Sequence, residues 1–309
     1  MNAAAVPAGG GGRKGILPLG SKAIVSRAFS CRSWVVFLFA MGLSAGTAAG
    51  GQPIMTAGFT EVRGLRLYTE VGGSGPPVLF LHGGLRFFDT TFARQKAYFS
   101  AFRTVIGVDQ RGHGHSPDND RPFSYEEMAE DTAALLQKLG VGPVDVVGHS
   151  DGGNVGLILA RRHPELVRRL VVSGANLHGG HPAIVDFFWS LLRPADPGSA
   201  ADAPSPLRDE YAGVSPDGER HWPVLLAKSE ALWSTRTVLA PADLRAIRKP
   251  VLVMAGDHDD ISLEATIEIF RGLPLGELCI LPASGHETMI DRPDDFNRLT
   301  RSFLEASGP

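Results

Sequence analysis

The sequence predicts an α/β chain: a mostly parallel central sheet with helices on both faces and a helical cap inserted between two of its strands. Three observations carry this reading. Apolar, β-branched runs alternate with stretches of helical length, the pattern of a parallel sheet covered by helices. One such run, Pro143-Val144-Asp145-Val146-Val147, leads through Gly148-His149-Ser150-Asp151-Gly152 directly into a helical stretch that ends at Arg161-Arg162. The alternation then stops between about residues 177 and 249, and an insertion of that length between core strands reads as a lid or binding element.

The first 49 residues stand apart from this pattern. They carry Arg13, Lys14, Lys22, Arg27 and Arg32 and no acidic residue, then an apolar run from Trp34 to Leu43, then small residues to Ala49. A basic region, a short apolar core and small residues make a secretory signal peptide, with cleavage expected after Ala49. The core is short for a membrane span, which needs about 20 apolar residues, although an uncleaved anchor is the alternative. Cys31 precedes the apolar core, which argues against a lipoprotein anchor. The expectation is therefore a secreted or periplasmic protein.

The catalytic part follows in order. Residues 59–63 and 65–71 alternate apolar and polar around Gly64, an antiparallel hairpin at the sheet edge. Pro77 to Leu81 is a buried strand running into His82-Gly83-Gly84, and Phe102 to Val108 is the strand before Asp109. Ser124 to Leu139 is an amphipathic helix, with Ser124 and Glu127 spaced as a capping box. Leu170 to Ser173 is the strand after the helix that follows Ser150. The insertion is rich in aromatics (Phe187, Phe188, Trp189, Tyr211, Trp222, Trp233) and interrupted by prolines at 194, 197, 204, 206 and 216. Its expected helices are Asp186 to Leu192 and Trp222 to Trp233, while Ala195 to Ser205 fits a linker. Pro250 to Ala255 and Leu278 to Leu281 are the last strands. The division is thus 1–49 leader, 50–177 and 250–309 core, and 178–249 cap.

A strand, G-x-S-x-G and a helix in direct succession make a nucleophile elbow. The turn exposes the Ser150 hydroxyl at the positive end of a helix dipole. A hydroxyl needs a base to take its proton and an acid to orient that base. On a sheet carrying this elbow, acid and base follow the serine in that order. Gly256-Asp257-His258-Asp259-Asp260 comes after one later strand, and Pro282-Ala283-Ser284-Gly285-His286 after the next. His286 is the expected base, with one aspartate of the 257–260 cluster as its partner. Acyl transfer also builds an oxyanion, which needs preorganised backbone N–H donors. The expected donors are the N–H of Asp151 and that of Gly84, with Gly83 as the alternative register.

Composition excludes several other roles. Removing the leader leaves about 260 residues with a formal charge of about −8, which argues against nucleic acid as a partner. Cys279 is then the only cysteine, so no intramolecular disulfide is expected. His113-x-His115 with Asp118, and His178 with His181, lack a complete ligand set, and no metal is expected. His82 and His149 flank the proposed site and are read as structural histidines.

Four motifs in this order resemble the α/β-hydrolase fold family over about residues 57–306. They are the elbow, the acid and histidine loops, Asp109-Gln110-Arg111-Gly112-His113-Gly114-His115-Ser116, and Arg292-Pro293-Asp294-Asp295-Phe296-Asn297. The resemblance selects Asp259 over Asp257 and Asp260, through the family's G-x-x-D pattern counted from Gly256. Ser150-Asp151-Gly152-Gly153 and Ser173-Gly174-Ala175-Asn176 are similar to the family's valacyclovir-hydrolase group of amino-ester hydrolases. That likeness implies an ammonium contact for Asp151, whose plainer role is an acid in a first helical turn. Asp151, Trp189, Trp222 and Trp233 are the candidate substrate contacts. The expected function is a cofactor-independent serine hydrolase of carboxylic esters or related small acyl compounds. Acyl transfer, carbon–carbon cleavage with the same triad, and a catalytically silent ligand-binding protein are the alternatives.

Overall fold

The computed structural model describes residues 54–179 and 205–306; the leader and the expected helix Asp186 to Leu192 lie outside the described residues. Eight strands form one sheet: β1 (Met55–Val62), β2 (Leu65–Gly73), β3 (Pro77–Leu81), β4 (Thr104–Val108), β5 (Val144–His149), β6 (Val167–Ser173), β7 (Val251–Gly256) and β8 (Gly276–Leu281). Their spatial order is β1-β2-β4-β3-β5-β6-β7-β8. β1 and β2 are the antiparallel hairpin, β2 meets β4 antiparallel, and all later pairs are parallel.

Helices α1 (Phe88–Phe99), α2 (Tyr125–Leu139) and α3 (Asp151–Arg162) follow β3, β4 and β5. Alternate side chains of a strand point to opposite faces, and β3 shows it plainly. Val78 and Phe80 join one buried layer with Phe88, Phe92, Phe296 and Phe303, while Leu79 and Leu81 join the other with α2 and α3. Full burial of one such side chain contributes about 1.5–3 kcal/mol. Phe296 and Phe303 lie on α9 (Pro293–Glu305), the last helix.

The insertion, where described, is helical: α4 (Pro206–Val214), α5 (Trp222–Trp233) and α6 (Pro241–Ala246). α5 has the bounds the sequence predicts. Pro206, expected as an interruption, instead opens α4 at its first turn, where a missing N–H costs nothing and the fixed φ is already helical. α7 (Leu263–Gly272) lies between β7 and β8, and the short α8 (Thr288–Asp291) leads into α9.

The Ser124–Glu127 pair forms only half of the expected capping box. Glu127 N–H donates to Ser124 Oγ at 3.4 Å, but the Glu127 carboxylate pairs with Arg63 of the hairpin turn at 3.0 Å. Tertiary contact has claimed the carboxylate for joining α2 to the sheet edge. Among the described residues no helix is long and apolar enough to cross a membrane.

Candidate active site

Ser150 sits between β5 and α3 with φ +52° and ψ −119°, a conformation that costs a non-glycine residue about 1–3 kcal/mol. The surroundings over-determine it. Its N–H donates to Ser173 O at 2.8 Å, and its carbonyl accepts from Gly153 and Asn154 at 2.9 and 3.1 Å. Gly152 allows the close approach the turn requires, since a Cβ there would lie 2.1 Å from Leu81 O.

The loops after β7 and β8 are clipped together. His258 N–H donates to Ser284 O at 3.0 Å, and Ser284 N–H to the Asp257 carboxylate at 3.2 Å. This brings His286 Nδ1 to 2.8 Å from Asp259 Oδ1, which also accepts Ile261 N–H at 2.8 Å. The Asp259 side chain is fully buried. His286 Nε2 is buried without a hydrogen bond, and His286 and Ser150 line one pocket. Burial works against a charged His286 ring, but the bond to Asp259 and its charge outweigh burial and raise the pKa above the usual 6.5.

The other two aspartates do not meet His286 Nδ1. Asp257 accepts from His258 Nδ1 at 2.7 Å and from Ser284 N–H at 3.2 Å. Asp260 lines the same pocket. Gly83 and Gly84 line the same pocket, and a Cβ on Gly83 would stand 3.1 Å from Ser150 Cβ. The expected oxyanion loop therefore borders the serine.

The profile of the Alpha/beta hydrolase family matches residues 78–299. The chain belongs to the alpha/beta hydrolase family. Serine hydrolase BPHL of Mus musculus is 35% identical over 274 residues, spanning 81% of this chain and 87% of that protein. The 2-hydroxymuconate semialdehyde hydrolase of Pseudomonas putida is 28% identical, over 82% of this chain and 94% of that one. The solved carboxylesterase CesB from Bacillus subtilis superposes with a TM-score of 0.67 at 22% identity, covering 82% and 93%, a likeness of fold.

This alpha/beta hydrolase uses Asp151 in a way its sequence does not reveal. The carboxylate is buried and accepts Tyr125 Oη–H at 2.6 Å and Trp233 Nε1–H at 3.0 and 3.2 Å on its two oxygens. Burial pushes the carboxyl pKa up against the pull of those two donors. Trp233 packs on Gly84, where a Cβ would lie 2.8 Å from its ring. Trp222 is buried against Tyr211, ring centroids 5.6 Å apart, and is not among the pocket-lining residues; Trp189 lies outside the described residues.

Two features of the hydrolase site carry no sequence signal strong enough to find them. Gly174 has φ +64°, and a Cβ there would stand 2.8 Å from His286 Cε1, so the histidine occupies its side-chain space. Arg86 pairs with Glu210 of α4 at 3.1 Å and with Glu287, next to His286, at 2.9 Å. The cap is thereby tied to the histidine loop. Gly174 is recognisable only as one of several small residues after β6, and Arg86 only as a charge after the glycine loop.

Proposed function

We propose that the protein is a serine hydrolase that cleaves carboxylic esters or related acyl compounds through an acyl-enzyme on Ser150. The observation that carries this is the shared pocket: a strained, pocket-lining serine and a histidine whose far nitrogen is pinned by buried Asp259. His286 Nε2 takes the Ser150 proton as Oγ attacks the acyl carbon. The N–H groups of Gly84 and Asp151 receive the negative charge that develops on the former carbonyl oxygen. The protonated His286 then gives its proton to the leaving group, and water repeats the sequence on the acyl-enzyme. Asp259 keeps the proton on Nδ1 and stabilises the imidazolium.

The BPHL relative is named a serine hydrolase, which supports the nucleophile, whereas the muconate-semialdehyde relative leaves carbon–carbon substrates as a neighbouring chemistry. The engaged Asp151 carboxylate favours a structural anchor over an ammonium receptor, because its two oxygens already accept buried donors. The decisive experiment is labelling with a serine-directed fluorophosphonate, alongside turnover of aryl, alkyl and amino-acyl esters. An unlabelled, inactive protein would favour a silent binding pocket. The leader pattern supports export to the periplasm or medium, with a mature N-terminus at Gly50 as the result to look for.

A further inference from the structure

We propose that the Asp260 carboxylate selects the alcohol half of the substrate, favouring esters whose leaving group is cationic and opposing those whose leaving group is anionic. The inference rests on the acyl-transfer reading above and names a substrate class for the same site. The pocket receives a ligand on grounds independent of its charge: Ser150 lines it, and the Nε2 of pocket-lining His286 is buried without a hydrogen bond. Among the described residues, the carboxylates of Asp260, Glu287 and Asp291 line it together with one guanidinium, that of Arg86. Arg86 is already engaged, by Glu210 at 3.1 Å and by Glu287 at 2.9 Å. Asp291 accepts the Gly285 N–H at 2.8 Å. Asp260 alone of the three has neither a hydrogen bond nor an ion pair among the described residues. Partial burial pushes its carboxyl pKa up, His286 pulls against this, and the charge of Asp259 adds to the rise.

The chemistry says which half of the ester meets this charge. His286 protonates the departing alkoxide, so the alcohol half has to lie within hydrogen-bond reach of Nε2. The carboxylates sit at the same end of the pocket: Asp260 follows Asp259, the partner of His286, and Glu287 follows His286 itself. The Asp151 carboxylate is held by Tyr125 and Trp233 and offers no free charge to the acyl half. A cation brought in on the alcohol exchanges water for an unpaired carboxylate. An anion brought in the same way loses water and meets a like charge that Arg86 cannot neutralise, which is discrimination by repulsion as well as attraction.

Three esters of one acyl group test this: those of choline, of its uncharged isostere 3,3-dimethylbutanol, and of 3-hydroxypropanoate. They are compared by kcat/KM at about pH 8, where carboxylates are ionised, and at low ionic strength. The choline-to-dimethylbutyl ratio should be about fivefold larger in the wild type than in Asp260→Asn, the upper range for a solvent-accessible ion pair. The dimethylbutyl-to-hydroxypropanoate ratio should shift by the same factor, and added salt should shrink both. Comparing each ratio between enzymes cancels the intrinsic reactivity of the esters. Asp257→Asn removes an equal charge from the same loop but away from the pocket lining, and should keep the wild-type ratios. Ratios within about twofold in wild type and Asp260→Asn, or an equal shift in Asp257→Asn, would overturn the assignment. Inhibition of the unmodified protein guards against a misfolded variant: free choline should bind about fivefold more tightly than 3,3-dimethylbutanol, and equal inhibition would overturn it. If Ser150→Ala keeps its turnover of the dimethylbutyl ester, the acyl-transfer reading itself fails. A wild type that needs Ser150 but ignores leaving-group charge sinks this inference alone.

Discussion

Trp233 Nε1–H donates to both carboxylate oxygens of Asp151, so the last residue of cap helix α5 is bonded to the residue that follows the proposed nucleophile. Cap and elbow are one hydrogen-bonded unit. Asp118 extends the docking, its buried carboxylate accepting from His221 at 2.9 Å and Lys228 at 2.6 Å. Trp233→Phe should leave the Asp151 carboxylate short of a buried donor and lower stability by about 1–3 kcal/mol. Chemical denaturation measures this, and an unchanged midpoint would show that the bond contributes nothing.

Ser150→Ala should fold normally and lose at least about 10³-fold in kcat, because binding and the oxyanion donors alone retain only a small part of triad catalysis. Retention of a tenth of wild-type ester turnover would remove Ser150 from the mechanism.

Among the three clustered aspartates, Asp259→Asn should reduce kcat by about 10⁴-fold, since an amide favours the wrong histidine tautomer. Asp257→Asn should lie within about tenfold of wild type, because Asp257 pairs with His258 at the loop surface. Steady-state kinetics on the three single variants decide it; comparable losses at Asp257 and Asp259 would contradict the geometry.

The pH profile has a definite sign. As the proposed base, His286 must be neutral to accept the Ser150 proton, and its pKa is raised above 6.5 by Asp259 in spite of burial. Activity should therefore be full on the alkaline side and fall as pH drops through a kcat/KM midpoint above 6.5. A midpoint well below that value would mean that the Asp259 contact does not govern the base.

Gly174→Ala should lower kcat about 10²-fold, the scale of a displacement near 1 Å at a reacting group. Its φ of +64° and the His286 ring 2.8 Å from the new methyl both oppose the substitution. Normal kinetics in a folded variant would show that His286 has room to move.

Matched free and N-acetylated amino-acyl esters test the role of Asp151. With its carboxylate engaged by Tyr125 and Trp233, kcat/KM should differ by less than about tenfold between the pair. A strong preference for the free amine would restore the ammonium contact.

Local sequence made most of the architecture legible. Periodicity of two placed the hairpin, apolar runs placed the parallel strands, and G-x-S-x-G between a strand and a helix placed Ser150, because these patterns depend on neighbours within a few residues. α1 and α4 were not legible. α1 offers a poorly segregated face, Phe88, Phe92 and Phe99 among polar residues, and α4 begins at a proline that also reads as a break.

What the sequence alone determined was the α/β chain, the order of its chemistry-bearing loops and the places of Ser150 and His286 on them, since each rests on short-range pattern. Only the tertiary structure decided which aspartate reaches His286, because Asp257, Asp259 and Asp260 are chemically alike and differ only in where one turn points them. It also decided that Asp151 faces the cap and that Gly174 makes room for the histidine ring. Those relations join residues 82 and 112 positions apart, Asp151 with Trp233 and Gly174 with His286, and arise only when the sheet brings its loops to one edge.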